Sequence, residues 1–431
     1  MDEEPERLYE CRVGRIQADV TTFWMLSRMS WVGTKLYNTA LWYSREVWQK
    51  TGKIPSKYDL QKVVNESWFH DFLPAHTYQN QAHRVRLAYQ GWFVLRKKDK
   101  TANPPRFRKK EILSTIMFTQ YGFKYRDNKV QLTIGPKMRE EFKYPNKFLS
   151  LNVAWNTPLP EKFEMQQVEI VSKKGFFEVH AKLKLPEPEW KQTGQVVAID
   201  LGMRNPIAAA FENGREDIFK GGEVLSELHY LNKTKHDLQH EIMKRTKGKK
   251  KGSKALSTFG ARINAQKDHA IHAMTTQFIN ICVKEDVKEV VVGDLGGIKK
   301  NNDGTGKKWN DKSSQNWQQF PVQTLVQHLR YKLARHGIFL AKQDERWTSK
   351  GRCSVCGCTD RSLIRRVKRG MFYCGNCDSW INADQNGSRN QLARYLHREV
   401  PIDIGTSTGS SGCLAQPSVW RWDHHQWMVV S

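Results

Sequence analysis

The stretch VVAIDLGMRNPIAAAF, residues 196–211, decides the fold of the second half of the chain. Its first apolar residues predict a buried β-strand, the segment around Gly202 predicts a turn, and the second apolar run predicts the hairpin partner of that strand. Asp200 stands at the end of the first strand, where an unpaired carboxylate is costly unless it binds a cation. A turn-forming aspartate is the alternative, so Asp200 is a candidate metal ligand.

Strands and helices alternate downstream of this hairpin. The pattern predicts long amphipathic helices over 223–282, interrupted by a lysine-rich loop at 244–254, and then a strand at 287–293. A helix at about 320–336 and a second strand in the sequence IFLAKQ follow. This alternation predicts an α/β sheet in the second half.

The first half of the chain has a different pattern. Residues 7–15 predict a short strand, and aromatic and aliphatic residues recur near helical spacing from 19 to 100. Residues 112–190 predict a β-rich segment with a hairpin around a Lys-Lys-Gly turn. We therefore expect a barrel-like domain with the helices inserted into it. The tail, 401–431, begins Gly/Ser-rich and is expected to be poorly ordered.

Length and charge bound the class of protein. A chain of 431 residues is too long for one compact core. Lysine and arginine outnumber the acidic residues 70 to 44, which gives a net charge of +26. Such a field favours a polyanionic partner, and the main candidate is nucleic acid, although a basic solvated surface is the alternative. No apolar run is long enough for a membrane helix, and the N-terminus has no signal-peptide pattern.

Four of the eight cysteines form two Cys-x-x-Cys pairs, CSVC at 353–356 and CGNC at 374–377. Two such pairs at this separation suit tetrahedral thiolate coordination of a structural zinc ion. The predicted ligands are Cys353, Cys356, Cys374 and Cys377. Cys358 is a spare thiol that fits the pattern less well. Paired clusters of this kind are typical of metal binding in a reducing compartment.

A further aspartate, Asp384, stands in NADQNGSRN shortly after the second cysteine pair. This residue either caps a helix or binds a metal. The strand VVVGDL places Gly293 and Asp294 at its end.

Taken in order, these motifs closely resemble the TnpB family of transposon-encoded RNA-guided nucleases, together with Fanzor proteins and miniature type V CRISPR effectors. The motifs are AIDLG…RNP, GDL, WTSKGRCSVCG, YCGNC and NADQNGSRN. The resemblance covers 196–396 well, whereas over 1–195 it rests on domain order and on NPPRFRKK.

The resemblance implies a multidomain α+β protein. An RNase-H-like (RuvC) α/β nuclease domain would carry an inserted zinc ribbon or knuckle, and an N-terminal wedge β-barrel would carry a helical recognition insert. The implied boundaries are 1–18 and 101–195 for the wedge, 19–100 for the helical insert, 196–346 and 381–400 for the nuclease domain, and 347–380 for the zinc element.

The resemblance also implies an RNA-guided DNA endonuclease. It would carry a guide RNA from its own locus, recognise a short motif beside a double-stranded target, and cut DNA with two Mg²⁺ ions. Matched by motif, Asp200 and Asp384 are the first and third catalytic acids. Arg389 matches a supporting basic position that contacts the scissile region, and an ordinary surface arginine is the alternative.

The second acid departs from the family pattern, in which this strand ends in EDL. Gly293 replaces the glutamate, and successive strand residues point to opposite faces, so a slip of one residue aims Asp294 away from the metal. Some family members have instead a glutamate shortly before the TS…C segment, and KQDERWTSKGRC supplies Glu345. We favour Glu345 as the second acid and keep Asp294 as the less favoured substitute.

Two other functions compete with the guided nuclease. Loss of the acid at Gly293 would suit a nuclease-dead RNA-guided repressor, but the retained Asp200 and Asp384 argue against it. A miniature type V CRISPR effector is distinguished only by the DNA flanking the gene. We expect a monomeric ribonucleoprotein that is neither secreted nor membrane-bound, in the cytoplasm or nucleoid of a prokaryote or the nucleus of a eukaryote.

Overall fold

The computed structural model describes residues 8–249, 252–294, 322–344, 348, 350–368, 370–398 and 417–430. The chain divides into two compact units, with the division between Glu187 and Pro188. None of the helices in the described ranges has an apolar stretch long enough to cross a membrane.

The first unit is built on two antiparallel sheets. Its strands are β1 (Tyr9–Ile16), β2 (Ile116–Thr119), β3 (Phe123–Arg126), β4 (Lys129–Thr133), β5 (Phe148–Leu151), β6 (Val153–Trp155), β7 (Glu164–Ser172) and β8 (Phe177–Lys184). One sheet has the order β2-β7-β8-β1-β6, and the other has the order β3-β4-β5. Closure of these sheets into the expected barrel stays a prediction.

The helices of the first unit lie mostly between β1 and β2. They are α1 (Val20–Thr51), α2 (Lys57–Asn65), α3 (Ala75–Lys98) and, after β4, α4 (Pro136–Glu141). Helix α1 begins after Asp19, whose side chain accepts a hydrogen bond from the N–H of Thr22 at 2.6 Å. It ends at Gly52, whose φ of 66° suits a glycine after the last turn. Because β1 and β2 belong to one sheet, helices α1 to α3 form an insertion between two of its strands.

The second unit contains a seven-stranded sheet and a small three-stranded sheet. Its elements are β9 (Gln195–Asp200), β10 (Ile207–Phe211), β11 (Glu216–Lys220), α5 (Gly222–Arg245), α6 (Lys254–Lys284), β12 (Val287–Gly293), α7 (Val322–Ala334), β13 (Phe339–Gln343), β14 (Ile364–Lys368), β15 (Met371–Cys374), β16 (Ser379–Asn382), α8 (Ala383–Tyr395), β17 (Ser418–Trp422) and β18 (Trp427–Val430). The large sheet has the order β13-β12-β9-β10-β11-β17-β18, and β14, β15 and β16 form the small one. Strands β9, β10 and β11 are antiparallel, whereas β12 and β13 run parallel to β9.

The large sheet is covered on both faces, which explains the continuous apolar runs of its central strands. Ile199 of β9 packs in a core with residues of α5, α6 and α7, whereas Ala198 packs in a core with Leu392 of α8. Successive strand residues point to opposite faces, so Asp200 follows Ala198 to the α8 side. The sheet thereby directs Asp200 toward the helix that carries Asp384.

The C-terminal residues 417–430 form β17 and β18, which extend the large sheet beyond β11. The expectation of a poorly ordered tail is therefore wrong for these residues, and 401–416 lies outside the described residues. Aromatic burial explains the difference. The Trp420 ring stacks on Phe219 at a centroid distance of 5.4 Å, and its Nε1 donates to Asp217 Oδ1 at 2.8 Å.

Candidate functional site

Asp200 is the last residue of β9, and the turn 201–206 leads from it into β10. It pairs with Ala208 across the hairpin and is half-buried. The prediction of a carboxylate at the end of a buried strand is confirmed.

Asp384 is the second residue of α8 and is half-buried. The helix is capped by Asn382, whose Oδ1 accepts a hydrogen bond from the Asp384 N–H at 2.9 Å. The alternative that Asp384 is the cap is therefore wrong. Its carboxylate Oδ2 instead accepts a hydrogen bond from Asn205 Nδ2 at 2.7 Å, in the turn that follows Asp200. Two segments far apart in sequence thus meet beyond the C-terminal end of β9.

A cation completes the surroundings of Asp384. Arg366 of β14 places Nη2 3.6 Å from Asp384 Oδ1, and its side chain is 39% exposed. Sequence reasoning assigned no role at this site to Asn205 or to Arg366. The available signals were weak: Asn205 lies within the RNP letters of the first motif, and Arg366 lies in the basic segment between the cysteine pairs.

Of the two candidates for the second acid, the structure describes only Asp294. Asp294 follows β12, is exposed, and its backbone N–H donates to the Gln343 carbonyl at 2.7 Å. The pairing of β12 with β9 is regular up to Val292, and its one irregularity lies near the start of β12. Val292 packs on the face of the sheet opposite α8. Asp294 is two residues further along and therefore points to that same face. Glu345 lies outside the described residues.

Arg389 is buried rather than exposed on the surface of α8. It is 3% exposed, and its Nε is paired with Oε1 of Glu216 on β11, itself 9% exposed. Burial raises the pKa of Glu216, although Arg389 opposes that effect. The alternative of an ordinary surface arginine is therefore wrong, whereas a contact of Arg389 with the scissile region stays a prediction.

The carboxylates of Asp200 and Asp384 fit a magnesium site in their chemistry, since carboxylate oxygens are the ligands that hard divalent cations prefer. Within the described ranges, which leave out Glu345, the four paired cysteines are the one group of three or more cysteine, histidine or acidic side chains gathered closely enough to hold a metal ion. Two described acids and one acid outside the described residues therefore make up the predicted magnesium set.

The four predicted zinc ligands are brought together. The Sγ atoms of Cys353, Cys356, Cys374 and Cys377 all lie within 4.8 Å of one another. The Sγ–Sγ distances are 3.8 Å for Cys353–Cys377 and 3.6 Å for Cys356–Cys374. Cys358 is not in the group. This spacing matches a tetrahedral thiolate site for zinc.

Hydrogen-bond donors around Cys356 favour its thiolate form, which is the form that binds metal. Asn376 Nδ2 donates to Cys356 Sγ at 3.4 Å. Although burial acts in the opposite direction, this hydrogen bond and the Cys358 backbone lower the pKa of Cys356 to about 7. Burial raises the pKa of Cys353. A bound cation would stabilise all four sulfurs as thiolates, so metal binding and proton release are coupled.

The first cysteine pair is docked on α8 by buried amide side chains. Asn390 Nδ2 donates to the carbonyls of Thr348 at 2.8 Å and Arg352 at 2.9 Å. Asn386 Nδ2 donates to the same Arg352 carbonyl at 2.9 Å. Because Asn386 and Asn390 are four residues apart, they share one face of the helix. The cysteine element and the helix that carries Asp384 therefore form one hydrogen-bonded assembly.

Two family models match separate parts of the chain. The model described as OrfB_IS605, probable transposase, matches residues 168–299, and the Cas12f1-like TNB domain model matches residues 323–391. The resemblance of this chain to TnpB and to the miniature type V proteins is therefore confirmed. A comparison with curated proteins found no match.

Solved structures of miniature effectors are similar to this chain. The cryo-EM structure of a Cas12f1–sgRNA–target DNA complex has a TM-score of 0.51 and 13% identity, covering 86% of this chain and 82% of that one. A CRISPR-Cas12f ternary complex has a TM-score of 0.36 and 15% identity, over 85% and 80% of the two chains. The mini-RNA-guided endonuclease CRISPR-Cas_phi3 has a TM-score of 0.42 and 10% identity, over 93% and 94%. The first of these indicates a shared mixed α+β multidomain fold.

Proposed function

We propose that this chain is an RNA-guided endonuclease that cuts double-stranded DNA beside a short flanking motif. The observation that carries the proposal is the hydrogen bond between Asn205 and Asp384, because it brings Asp384 to the turn that follows Asp200. The order of β11, β10, β9, β12 and β13 in the sheet is compatible with an RNase-H-like (RuvC) nuclease domain. The two family models support the same interpretation.

Asp200 and Asp384 would hold the divalent cations of this site. Two bound Mg²⁺ ions would activate a water molecule and stabilise the leaving oxygen of an in-line displacement. The guanidinium group of Arg366 lies beside Asp384 and is partly exposed, so it is placed to bind a phosphate oxygen of the strand to be cut. Asp384 in turn holds this guanidinium in place.

Glu345 is proposed as the third carboxylate, and strand alternation supports it over Asp294. Ala341 of β13 packs on the α8 side of the sheet, together with Ala198. Glu345 is four residues after Ala341, so it is expected on the same face of the sheet as Ala341, the α8 side, if the strand continues by two residues beyond Gln343. Asp294, by contrast, points to the face of the sheet opposite α8.

The proposed partners are a guide RNA and double-stranded DNA. A net charge of +26 favours binding to both, since phosphate contacts supply most of the affinity for nucleic acid. One similar solved structure is described as a Cas12f1–sgRNA–target DNA complex. Base pairing with the guide would select the sequence, and the protein would grip the backbone. We propose a monomeric ribonucleoprotein with a structural zinc ion at the four cysteines.

A nuclease-dead, RNA-guided DNA-binding protein is the second candidate, because Gly293 replaces the acid expected at the end of β12. Sequencing the RNA that copurifies with the protein, followed by incubation of the ribonucleoprotein and Mg²⁺ with DNA that carries the matching target and randomised flanks, separates the candidates. Cleavage that requires the RNA and is lost in Asp200→Ala supports the nuclease. Specific binding without cleavage supports the second candidate, and equal cutting by RNA-free protein contradicts guided recognition.

A further inference from the structure

The turn between Asp200 and β10 is held in one backbone conformation. The N–H of Gly202 donates to the Asn205 carbonyl at 3.1 Å, and the N–H of Gly221 donates to the Arg204 carbonyl at 2.7 Å. A Cβ atom on Gly202 would lie 2.7 Å from the Asn205 oxygen, so glycine is required for this close approach. The backbone of Asn205 is therefore fixed relative to Asp200.

The side chain of Asn205 connects this turn to Asp384. Its Nδ2 donates to Asp384 Oδ2 at 2.7 Å, while Arg366 lies 3.6 Å from the other carboxylate oxygen. The Asn382 cap holds the backbone N–H of Asp384 at 2.9 Å. Thus the main chain of Asp384 is set by its own helix, whereas its carboxylate is oriented from the β9–β10 turn.

The chemistry of an amide suits this role. A neutral Nδ2–H group orients a carboxylate through one lone pair without cancelling its charge, so the remaining lone pairs and the negative charge stay available to a cation. Because Arg366 already places one positive charge 3.6 Å from the other oxygen, a lysine or arginine in place of Asn205 would add a second and compete more strongly with the cation. Partners that orient metal ligands in this way typically change metal affinity by about 10- to 100-fold when they are removed.

We propose that Asn205 is a positioning residue that orients the Asp384 carboxylate, relative to Asp200, for binding of a divalent cation. The inference rests on the proposed function, because it takes Asp384 as a ligand of the nuclease metal site. Asn205 itself does not touch the reacting atoms. Its contribution is geometric, because its side chain links Asp384 to the turn that follows Asp200.

The test compares Asn205→Ala with a matched control, Asn213→Ala. Asn213 lies in the β10–β11 turn, where its Nδ2 donates to Glu285 Oε2 at 2.9 Å, so the control removes the same type of bond away from Asp384. The full ribonucleoprotein is titrated with Mn²⁺, and bound ion is followed by electron paramagnetic resonance. The contribution of Mn²⁺ bound by the RNA is subtracted by measuring the same titration with the Asp384→Ala ribonucleoprotein. The half-saturating Mg²⁺ concentration for DNA cleavage is measured in parallel.

We expect Asn205→Ala to weaken the Asp384-dependent Mn²⁺ binding about 10- to 100-fold and to raise the half-saturating Mg²⁺ concentration similarly. Asn213→Ala should leave both quantities unchanged, while the two variants lose similar thermal stability. Asn205→Gln keeps an amide donor and should recover part of the Mn²⁺ affinity. It also serves as the second variant if Asn205→Ala does not fold.

The outcomes separate the inference from the proposed function. Unchanged Mn²⁺ and Mg²⁺ dependence in a folded, active Asn205→Ala protein overturns the positioning role and leaves the nuclease standing. Asn205-dependent Mn²⁺ binding in a protein that never cleaves DNA upholds the positioning role and overturns the nuclease. If Asp384→Ala loses no Mn²⁺ binding relative to the native protein, the cation site itself is overturned.

Discussion

The side chain of Asn386 accepts a hydrogen bond from the backbone N–H of Ser354 at 2.8 Å. Ser354 lies between the first two cysteines, and Asn386 lies two residues after Asp384 on α8. Both residues are fully buried, so water cannot replace this bond without reorganisation. This bond links the cysteine element to the helix that carries Asp384, so we expect the position of Asp384 to depend on the order of the four-cysteine cluster.

Replacement of Cys374 by serine tests this dependence. Cys374→Ser should lose bound zinc and loosen α8, because a structural zinc ion contributes its binding free energy to folding. Elemental analysis measures the zinc, and hydrogen exchange of the α8 amides measures the loosening. The matched control is Cys358→Ser, since Cys358 belongs to the same element but not to the four-sulfur group. Native protein without zinc, or equal zinc loss in the control, would contradict the assignment.

The second catalytic acid is tested by two alanine variants. Glu345→Ala should abolish Mg²⁺-dependent cleavage and leave guided DNA binding nearly intact, because carboxylates supply the metal site whereas base pairing and backbone contacts supply the binding. Asp294→Ala should keep much of its activity. Gly293→Glu in the Glu345→Ala background should partly restore cutting. Cleavage rates of the variants give the answer, and an inactive Asp294→Ala beside an active Glu345→Ala reverses the assignment.

The buried pair of Arg389 and Glu216 is expected to support the fold. Arg389→Met leaves a buried carboxylate without its partner and should lower the free energy of unfolding by about 3–5 kcal/mol. The double variant with Glu216→Leu should recover much of this loss. In the control, Arg398→Met breaks a more exposed pair with Glu212 and should change stability by less than about 1 kcal/mol. Urea unfolding measures all four proteins, and an unchanged stability together with lost cleavage would favour direct contact with the substrate.

Two histidines in close ring contact are expected to make stability depend on pH. The rings of His272 on α6 and His328 on α7 lie 3.9 Å apart, and the Lys332 ammonium group donates to the His272 carbonyl at 2.8 Å. Burial, followed by the charges of His272 and Lys332, lowers the pKa of His328 from 6.5 to about 4. The folded state therefore favours neutral His328, so this stabilisation is complete above the unfolded pKa of 6.5 and is lost as pH falls toward about 4.

Thermal unfolding between about pH 7.5 and about pH 5 checks this dependence. The midpoint of the native protein should fall with pH more steeply than that of His328→Gln, which has no imidazole to protonate at this position. His236→Gln, which changes an exposed histidine of α5, serves as the control and should follow the native protein. Parallel curves for native protein and His328→Gln would show that the His272–His328 pair is not responsible.

The sequence alone determined the features that depend on local spacing. The two Cys-x-x-Cys pairs predicted the four-sulfur cluster, because each pair places two sulfurs on one tight turn. The apolar run before Asp200 predicted a buried strand, and the one-residue offset between Gly293 and Asp294 predicted opposite faces, because strand alternation is a property of the backbone. The resemblance to TnpB likewise came from motifs that are each continuous in sequence.

Only the tertiary structure decided which distant side chains meet. Asn205 and Asp384 are joined because a turn after β9 packs on the first turn of α8, and Arg389 is buried because Glu216 of β11 faces that helix. The tail residue Trp420 is ordered because β11 offers it a paired edge and a stacked Phe219 ring. The physical reason is common to all three: each contact depends on long-range register and packing, and neither is encoded in the spacing of a single segment.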